Sequence, residues 1–329
     1  MFRLFREPQD WAETIGGGLT LLPYEAYRRD EPQVHAAWLD QHAQVKARCS
    51  LWWLDTPILK GRRVGTIGHY AAIDADGGMQ LLERACQTLS RAGCDVAIGP
   101  MDGNTWRNYR FKLDRDGGHT FFFEPHHPAD WLDHFTGAGF SLLSRYHSSV
   151  CNDLSVRDPR LQRAELRLIT EGVRFRGLDR QRKEADLRAI HDLCGFAFRD
   201  AFLFHSMTYE AFGNQIRPLL QRIDARWVQI AERDHEIVGF AFGCPDFLQP
   251  FHGKQSDTAI LKTLAVYPQR ALAGLGMLLM QRFHDRALEQ GFRRVIHALM
   301  HDQNRLIGHL SSRYSQPLRQ YGLFSRDLR

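Results

Sequence analysis

The sequence predicts an α/β (α+β) fold built from two similar halves. Strands and amphipathic helices alternate in the second half, and the first half repeats the order of its last elements. An arginine-rich segment with few large apolar residues, 155–186, separates the two regions. The predicted division is a first domain at 1–155, a linker region at 156–171 and a second domain at 172–329.

The second half shows the spacing of apolar residues most clearly. Apolar residues recur every three or four positions in the predicted helices, and the predicted strands are short β-rich runs. The polar turn Arg233-Asp234-His235 divides a hairpin. The predicted elements are, in order, a strand at 173–178, helices at 184–198 and 208–222, a hairpin at 225–243, a strand at 257–266, a helix at 274–290 and a strand at 293–300.

The first half repeats this ending. One predicted helix runs from Gly78 to Gly93 and the other from Gly276 to Gly291, with the same interval between the glycines. A strand follows each helix, and each strand leads into an Asp-x-Asn triplet, DGN or DQN. Upstream, the run 61–69 resembles the run 235–243. These matches predict a duplicated unit with a shortened first copy.

The segment LAVYPQRALAGLGMLL, 264–279, joins a strand to a helix. The first turn of a helix presents unpaired N–H groups and the positive end of the helix dipole, so it attracts anions. Glycine at this place lets a phosphate approach the backbone. The segment is therefore either a phosphate-binding loop or a tight turn in which glycine serves packing.

In its full context the segment resembles the signature V-x-P-x-x-R-G-x-G-x-G/A-x-x-L of the GNAT superfamily of acyl-CoA-dependent N-acyltransferases. The residues in register are Val266, Pro268, Gly274, Gly276 and Leu279. Ala271 replaces the family's Arg or Gln, and Leu272 replaces its first glycine. The order of elements over 172–329 is also that of the family. The resemblance implies tandem GNAT-like domains, each a mixed, mostly antiparallel central sheet flanked by helices.

The resemblance also implies acetyl-CoA, or another acyl-CoA, as the cofactor of the second half. The strand residues expected beside the thioester are Leu264, Ala265 and Val266. The other expected contacts are Arg270, Ala271, Leu272, Ala273, Gly274, Leu275, Gly276, Met277 and Asn304. The first half is expected to be degenerate, because the repeat places Asp74 and Asp76 where a pyrophosphate would lie.

For the chemistry, the resemblance implies direct attack of an amine on the thioester, with a base and an acid to move protons. Tyr314 is the expected acid, since Tyr321 lies in a run typical of a terminal strand anchored in the core. His301 and Asp302 are candidate catalytic residues, because ligands of open α/β sheets gather at the carboxyl ends of strands. His297, in the middle of the same strand, is more typical of a core histidine.

The run GPMDGNTWRNYRF in the first half combines aromatic and basic residues. It predicts a binding site for an acceptor with a flat part and an anionic part. A capped turn, in which Asn104 is the cap and Trp106 packs, is an equally good interpretation. The predicted substrate-binding residues are Asn104, Trp106, Arg107, Tyr109 and Arg110.

Composition narrows the remaining possibilities. The net charge is only +5, and basic residues are interleaved with acids, so a nucleic-acid partner is not expected. Six scattered cysteines without a CxxC pair, and histidines without ligand spacing, predict no metal site. No apolar run has the length of a signal peptide or a membrane span, so we expect a cytoplasmic protein without a membrane partner.

These observations together predict an N-acetyltransferase that acts on a small amine. Two alternatives stay open at this point. One is a tRNA-dependent aminoacyl transferase, and the other is a non-catalytic CoA-binding module. The sequence does not specify the acceptor or the oligomeric state.

Overall fold

The computed structural model describes residues 1–7, 9–10, 19–114, 118–249, 256–303 and 315–328. Its helices are α1 (Tyr24–Asp30), α2 (Ala75–Arg91), α3 (Trp131–Gly137), α4 (Pro159–Thr170), α5 (Lys183–Ala197), α6 (Tyr209–Leu220) and α7 (Leu275–Glu289). The strands of the first half are β1 (Phe2–Phe5), β2 (Val34–Leu39), β3 (Val45–Trp52), β4 (Ile58–Leu59), β5 (Arg62–Ala72), β6 (Val96–Gly99), β7 (Phe111–Lys112) and β8 (Ser141–Cys151). Those of the second half are β9 (Arg174–Gly177), β10 (Val228–Arg233), β11 (Glu236–Pro245), β12 (Thr258–Val266), β13 (Arg294–His301) and β14 (Gln316–Asp327).

One mixed sheet runs through both halves. In the described chain, twelve strands follow one another in the order β1-β2-β3-β5-β6-β14-β8-β13-β12-β11-β10-β9. The pairs β5/β6 and β12/β13 are parallel, and the other neighbours on this path are antiparallel. The predicted fold class, a mixed and mostly antiparallel sheet flanked by helices, is therefore confirmed.

The two halves exchange their last strands at the centre of the sheet. β8, which ends the first half, pairs with β13 of the second. β14, which ends the second half, pairs with β6 of the first. The strand order consequently has the same pattern when counted from either end. The boundaries 1–155 and 172–329 stay a prediction about the sequence, but hydrogen bonds between strands cross between the two segments.

The region predicted as a linker, 156–171, contains helix α4. Asp158 caps this helix by accepting a hydrogen bond from the Arg160 N–H, and Pro159 occupies its first turn. Leu168 is fully buried. Glu165 forms an ion pair of 2.6 Å with Arg282 of α7. The segment is therefore a packed element of the second half and not only a connection.

The predicted elements of the second half are confirmed within a few residues. The apolar stripe of α7 is fully buried, at Leu275, Leu279, Phe283 and Ala287. Gly239 on β11 allows this contact, because a Cβ there would lie 3.1 Å from Leu279 and 3.2 Å from Leu275. None of the described helices combines the length and apolar character that a bilayer crossing requires.

One part of the predicted repeat is wrong. The helix echo is confirmed, since α2 and α7 occupy the same place in each half and both precede a glycine with positive φ, Gly93 or Gly291. The upstream echo fails, because Val64 lies on β5, which is parallel to β6, whereas Val238 lies on β11, the antiparallel neighbour of β12. β5 thus corresponds to β12. Within the described residues each half contributes six strands to the path, so the first copy has lost none of them.

Candidate active site

The sheet opens between β12 and β13. Their parallel pairing ends at Leu261 opposite His297, although β12 continues to Val266 and β13 to His301. The other edge of β12 stays paired with β11 as far as Val266. Beyond Leu261, therefore, the edge of β12 that faces β13 is not paired with it.

A bulge in β12 lies at the start of this opening. Phe242 of β11 is opposite Thr263 and Gly243 is opposite Leu261, which leaves Lys262 as the extra residue. β13 is irregular at the same level, where Leu299 has a φ of 61°. Bulges redirect side chains and are frequent near active sites.

The strand-to-helix loop lies at the end of β12. A 3₁₀ turn, Arg270–Leu272, leads to Gly274, which has a φ of 88° and is the N-cap of α7. Gly274 and Ala273 are exposed, and no side chain of the described residues caps the helix. The first turn of α7 therefore presents N–H groups and the positive end of the dipole to an anion, and the positive φ accounts for the glycine.

Helix α4 supports this loop. The Arg167 guanidinium donates to the carbonyl oxygens of Ala271 at 2.8 Å and Ala273 at 2.6 Å, and it pairs with Glu171 at 2.9 Å. Arg270, one of the expected cofactor contacts, is exposed. Sequence reasoning did not identify Arg167, whose only signal was the arginine-rich character of the segment between the halves.

The predicted cofactor residues fall in two places. Leu264, Ala265 and Val266 lie on β12 beyond its pairing with β13, and the run from Arg270 to Met277 forms the loop and the start of α7. Asn304 lies outside the described residues. An uncapped helix end beside an open strand edge suits a pyrophosphate with an extended arm, so the residues present fit an acyl-CoA. The individual contacts stay a prediction.

A cavity of about 660 Å³ lies between the two halves at the opening. β12 and β13 reach it at Lys262 and Leu299. The first half contributes Leu22, Arg29, Asp30, Glu31, His69, Asp102, Trp106, Arg107, Asn108, Tyr109, Arg110, Phe123 and Pro125. Helix α6 and the residue before it contribute Thr208, Glu210, Ala211, Asn214 and Gln215. A molecule in this cavity would therefore lie beside the place where the strands diverge.

Four of the five residues predicted to bind the substrate line the cavity: Trp106, Arg107, Tyr109 and Arg110. Asn104 does not; its side chain accepts a hydrogen bond of 3.0 Å from the Trp106 N–H. The Trp106 indole N–H also donates to the His205 carbonyl oxygen at 2.8 Å. The turn is thus capped as the alternative interpretation required, and the same turn brings the other residues to the cavity.

Arg107 already has a partner. Its Nη1 donates to the Asp30 carbonyl oxygen at 2.7 Å, and its Nε lies 3.5 Å from the Asp30 carboxylate. Burial raises the pKa of Asp30, but hydrogen bonds from His69 and Arg29 and the charge of Arg107 outweigh it, so the net shift is downward. Asp30 is therefore a carboxylate that is already satisfied by cations.

Arg110 and Lys262 differ from Arg107 in this respect. Arg110 is 3% exposed and packs against two aromatic rings, with its guanidinium carbon 3.7 Å from the Tyr109 centroid and 4.1 Å from that of Tyr146. Its Nη1 donates to the Leu299 carbonyl oxygen at 2.9 Å, and its Nε is buried without a partner. Neither Arg110 nor Lys262 is paired with a carboxylate of the described chain. Burial lowers the pKa of Lys262 to about 7, and the charge of Arg110 acts in the same direction.

Two of the predicted catalytic residues, His301 and Asp302, are not among the described residues that line the cavity. His301 Nε2 lies 2.8 Å from the Ser144 hydroxyl, and Asp302 pairs with His147 at 2.8 Å, so both contact β8. Tyr314 lies outside the described residues. Sequence reasoning also missed Lys262, whose only signal was a cation within an otherwise uncharged strand.

Two further expectations about the core hold. Tyr321 is fully buried and donates to Glu124 at 2.6 Å, as expected for an anchor of the terminal strand. His297 is buried, with its Nε2 2.8 Å from that of His284. Burial lowers the pKa of His297 to about 4. Both residues therefore belong to the core.

The equivalent place in the first half is closed. Asp74 caps α2 by accepting a hydrogen bond of 2.7 Å from the Gly77 N–H. Past the last parallel pair of β5 and β6, the Met101 N–H donates to the Ile67 carbonyl oxygen at 2.8 Å. Asp102 then accepts from the His69 N–H at 2.6 Å. Both the helix end and the gap between the strands are thus filled by this chain's own groups.

Comparison with solved structures identifies the class of fold. A GCN5-related N-acetyltransferase from Anabaena variabilis is 8% identical with a TM-score of 0.58, over all of this chain and 73% of that one. One from Kribbella flavida is 11% identical with a TM-score of 0.53, over 100% and 72%. One from Sphaerobacter thermophilus is 13% identical with a TM-score of 0.52, over 93% and 85%. At these identities the likeness establishes a GNAT fold that extends over both halves.

A family model also matches by sequence. Residues 187–308 match the model described as Acetyltransferase (GNAT) family. This match lies within the second half and agrees with the resemblance of the loop signature. No curated protein shows a significant sequence match to the chain.

Proposed function

We propose that the protein is an acyl-CoA-dependent N-acyltransferase, in the simplest case an N-acetyltransferase, that acts on a small amine bound in the cavity. One observation carries the proposal. β12 runs from the uncapped loop at the start of α7, past the unpaired edge, to Lys262 in the cavity lining. A single strand therefore connects a site for an anionic cofactor with a site for an acceptor.

The chain's own residues would hold the cofactor at two places. Acetyl-CoA supplies an acyl group that is activated as a thioester. The backbone N–H groups at the start of α7 would bind its pyrophosphate, with Arg167 fixing the loop that presents them. Unpaired N–H groups of β12 near Leu264 to Val266 would polarise the thioester carbonyl.

Lys262 is the base in this proposal. An acceptor amine is an ammonium ion at neutral pH and must lose a proton before it can attack. Lys262 lines the cavity at the opening and has no hydrogen bond or ion pair with any residue that the structure describes. Because burial lowers its pKa to about 7, the Lys262 amine is neutral in a large fraction of the molecules at neutral pH. The neutral amine accepts the proton at Nζ.

Two measurements test the proposal. First, millimolar CoA or acetyl-CoA is expected to raise the melting temperature. Second, a panel of small amines is screened for release of the free CoA thiol from acetyl-CoA. The absence of any thermal shift at millimolar CoA would contradict the proposal outright.

A non-catalytic CoA-binding module is the second candidate. The departures from the signature at Ala271 and Leu272 favour it, and so does the absence of His301 and Asp302 from the described cavity lining. CoA binding without thiol release from any amine of the panel would support this alternative.

A further inference from the structure

We propose that Arg110 binds a carboxylate of the acceptor, so that the natural acceptor is an amino acid or a related amine that carries a carboxylate close to its amino group. The inference rests on the proposed acyltransferase function and specifies its substrate class. It is carried by Arg110, by the neighbouring Lys262, and by the way the other charges of the cavity are already paired.

The burial of Arg110 is the first step. Three described arginines are almost fully buried, and two of them pair with carboxylates. Arg286 lies 3.6 Å from Asp224, and Arg319 lies 3.3 Å from Glu124. Arg110 is the most buried of the three, at 3% exposure, and pairs with no carboxylate in the same part of the chain. A buried cation without a counter-ion is costly, so this position favours an anionic ligand.

The second step concerns orientation. Tyr109 and Tyr146, whose rings are nearly perpendicular with centroids 5.6 Å apart, both pack against the guanidinium, and the Leu299 carbonyl oxygen accepts from Nη1. A guanidinium that is fixed in its plane presents parallel N–H donors, the geometry that a carboxylate matches with two hydrogen bonds. Arg110 also belongs to the cavity lining, so a ligand there can reach it.

The third step concerns the cavity's own carboxylates. Asp30 accepts from Arg29 at 3.0 Å and from His69 at 3.1 Å. Asp102 accepts from the His69 N–H. Neither these two acids nor Glu31 and Glu210, which also line the cavity, form an ion pair with Arg110 in the part of the chain that the structure describes.

The position of Lys262 then specifies where the amine lies. Lys262 lines the cavity beside Arg110, at the opening between the strands. If the carboxylate lies on Arg110 and the ammonium proton passes to Lys262, the acceptor's two groups must be only a few bonds apart. An α-amino acid meets this requirement, because one carbon separates its amino and carboxylate groups.

A carboxylate could also reach Arg110 from the acyl donor. An acyl-CoA derived from a dicarboxylic acid carries such a group at the far end of its acyl chain. We assign the carboxylate to the acceptor, because Arg110 comes from the acceptor-facing turn of the first half and not from β12 or the loop. The experiment separates the two sources.

The experiment uses matched pairs of amines that differ only in one carboxylate. Suitable pairs are tyrosine and tyramine, tryptophan and tryptamine, and histidine and histamine. Binding to the CoA-loaded full chain is measured by calorimetry, and turnover with acetyl-CoA by thiol release. We expect the carboxylate to improve affinity or kcat/KM by roughly 10- to 100-fold in at least one pair.

Arg110→Gln is expected to abolish this difference within the pair while CoA still raises the melting temperature. Arg110→Lys, which keeps the charge but loses the paired donors, should retain part of the difference and guards against misfolding of the glutamine variant. Arg286→Gln is the matched control, because it removes a buried arginine outside the cavity; it should leave the preference unchanged.

The outcomes are distinguishable. If CoA binds and no pair shows a preference for the acid, the carboxylate site is overturned and the acyltransferase proposal stands. If CoA does not bind, the proposed function fails, and calorimetry with the amino acids alone still tests Arg110. If Arg110→Gln impairs only the use of succinyl-CoA relative to acetyl-CoA, the carboxylate belongs to the donor and the acceptor assignment is wrong.

Discussion

The two parallel strand pairs occupy equivalent places in the two halves, but the gap beyond the pairing is closed in the first half and open in the second. Between β5 and β6 the gap is closed by Met101 and Asp102, whose backbone or side chain bonds the strand opposite. Between β12 and β13 the described residues show no such closure beyond Leu261. A gap in the sheet is therefore not inherent in the repeated unit, because a few residues after the second strand decide whether it is filled.

The helix ends show the same contrast. Asp74, the N-cap of α2, accepts a hydrogen bond from the Gly77 N–H of the first turn, whereas α7 begins after Gly274 and has no side-chain cap among the described residues. An acid at the N-cap stabilises a helix and competes with a bound anion at the same groups. The first half thus gains helix stability at the place where the second leaves a site for a phosphate.

The cavity-lining side chains of β5 and β12 also differ. His69 on β5 and Lys262 on β12 both line the cavity. The two ring nitrogens of His69 are held by Ser50 at 3.0 Å and Asp30 at 3.1 Å, whereas Lys262 has no such partner among the described residues. The first half therefore contributes to the cavity a side chain that is fixed by hydrogen bonds, and the second half contributes a side chain that can exchange a proton.

The largest expected effect comes from placing an acid at the N-cap of α7, where the first half has Asp74 at the N-cap of α2. Gly274→Asp places a carboxylate at the N-cap of α7 and strains a backbone with φ of 88°. We expect the CoA-induced rise in melting temperature to disappear. Gly291→Asp is the matched control, since Gly291 has a φ of 83° at the other end of α7. It should lose stability but keep the CoA effect, and loss of that effect in both variants would refute the loop as the specific site.

The next largest effect concerns the proton acceptor. Lys262→Met keeps the length of the side chain and removes the amine, and we expect kcat to fall by about 10²- to 10⁴-fold with CoA binding retained. Because the neutral amine is the active form and its pKa is about 7, wild-type activity should rise with pH through about 7. The Lys262→Met variant should lack this rise of activity with pH.

Exposed Lys60 offers the control, and Lys60→Met should leave both the rate and the pH profile unchanged. A Lys262→Met enzyme with a normal rate and profile would show that another group accepts the proton.

A smaller effect is expected from breaking the closure of the first half. Asp102→Ala leaves the buried His69 N–H without its acceptor, and we expect a loss of about 1–3 kcal/mol in the free energy of unfolding. Asp302, at the matching position of the second half, is exposed and, among the described residues, forms an ion pair only with His147, so Asp302→Ala should cost less than about 1 kcal/mol. Equal losses in chemical denaturation would argue against a difference between the two gaps.

The smallest effect is expected at the helix cap of the first half. Asp74→Ala removes the hydrogen bond to the Gly77 N–H, which should lower the free energy of unfolding by about 1 kcal/mol. The CoA-induced thermal shift should not change, because that helix end is not the proposed site. An additional, weaker CoA-binding event in the variant would show that the cap alone had kept the first half closed.

Much of the fold could be predicted from the sequence because its signals are local. The helix over 274–290 and the strand over 257–266 followed from apolar spacing and are confirmed as α7 and β12. The match of 61–69 with 235–243 failed, because short strands of similar composition do not reveal which neighbours they pair with. The aromatic and basic residues of the turn around Asn104 predict a binding site, but the position of this turn beside Lys262 depends on chain segments about 150 residues apart.

The order of helices and strands, the repeated helix and the loop signature at Gly274 could be read from the sequence, since each depends on residues that are close together in the chain. The exchange of β8 and β14, the unequal closure of the two strand pairs, and the proximity of Arg110 to Lys262 emerge only in the folded protein. The physical reason is that strand pairing and the burial of charge are contacts between distant segments, whose energies local periodicity does not record.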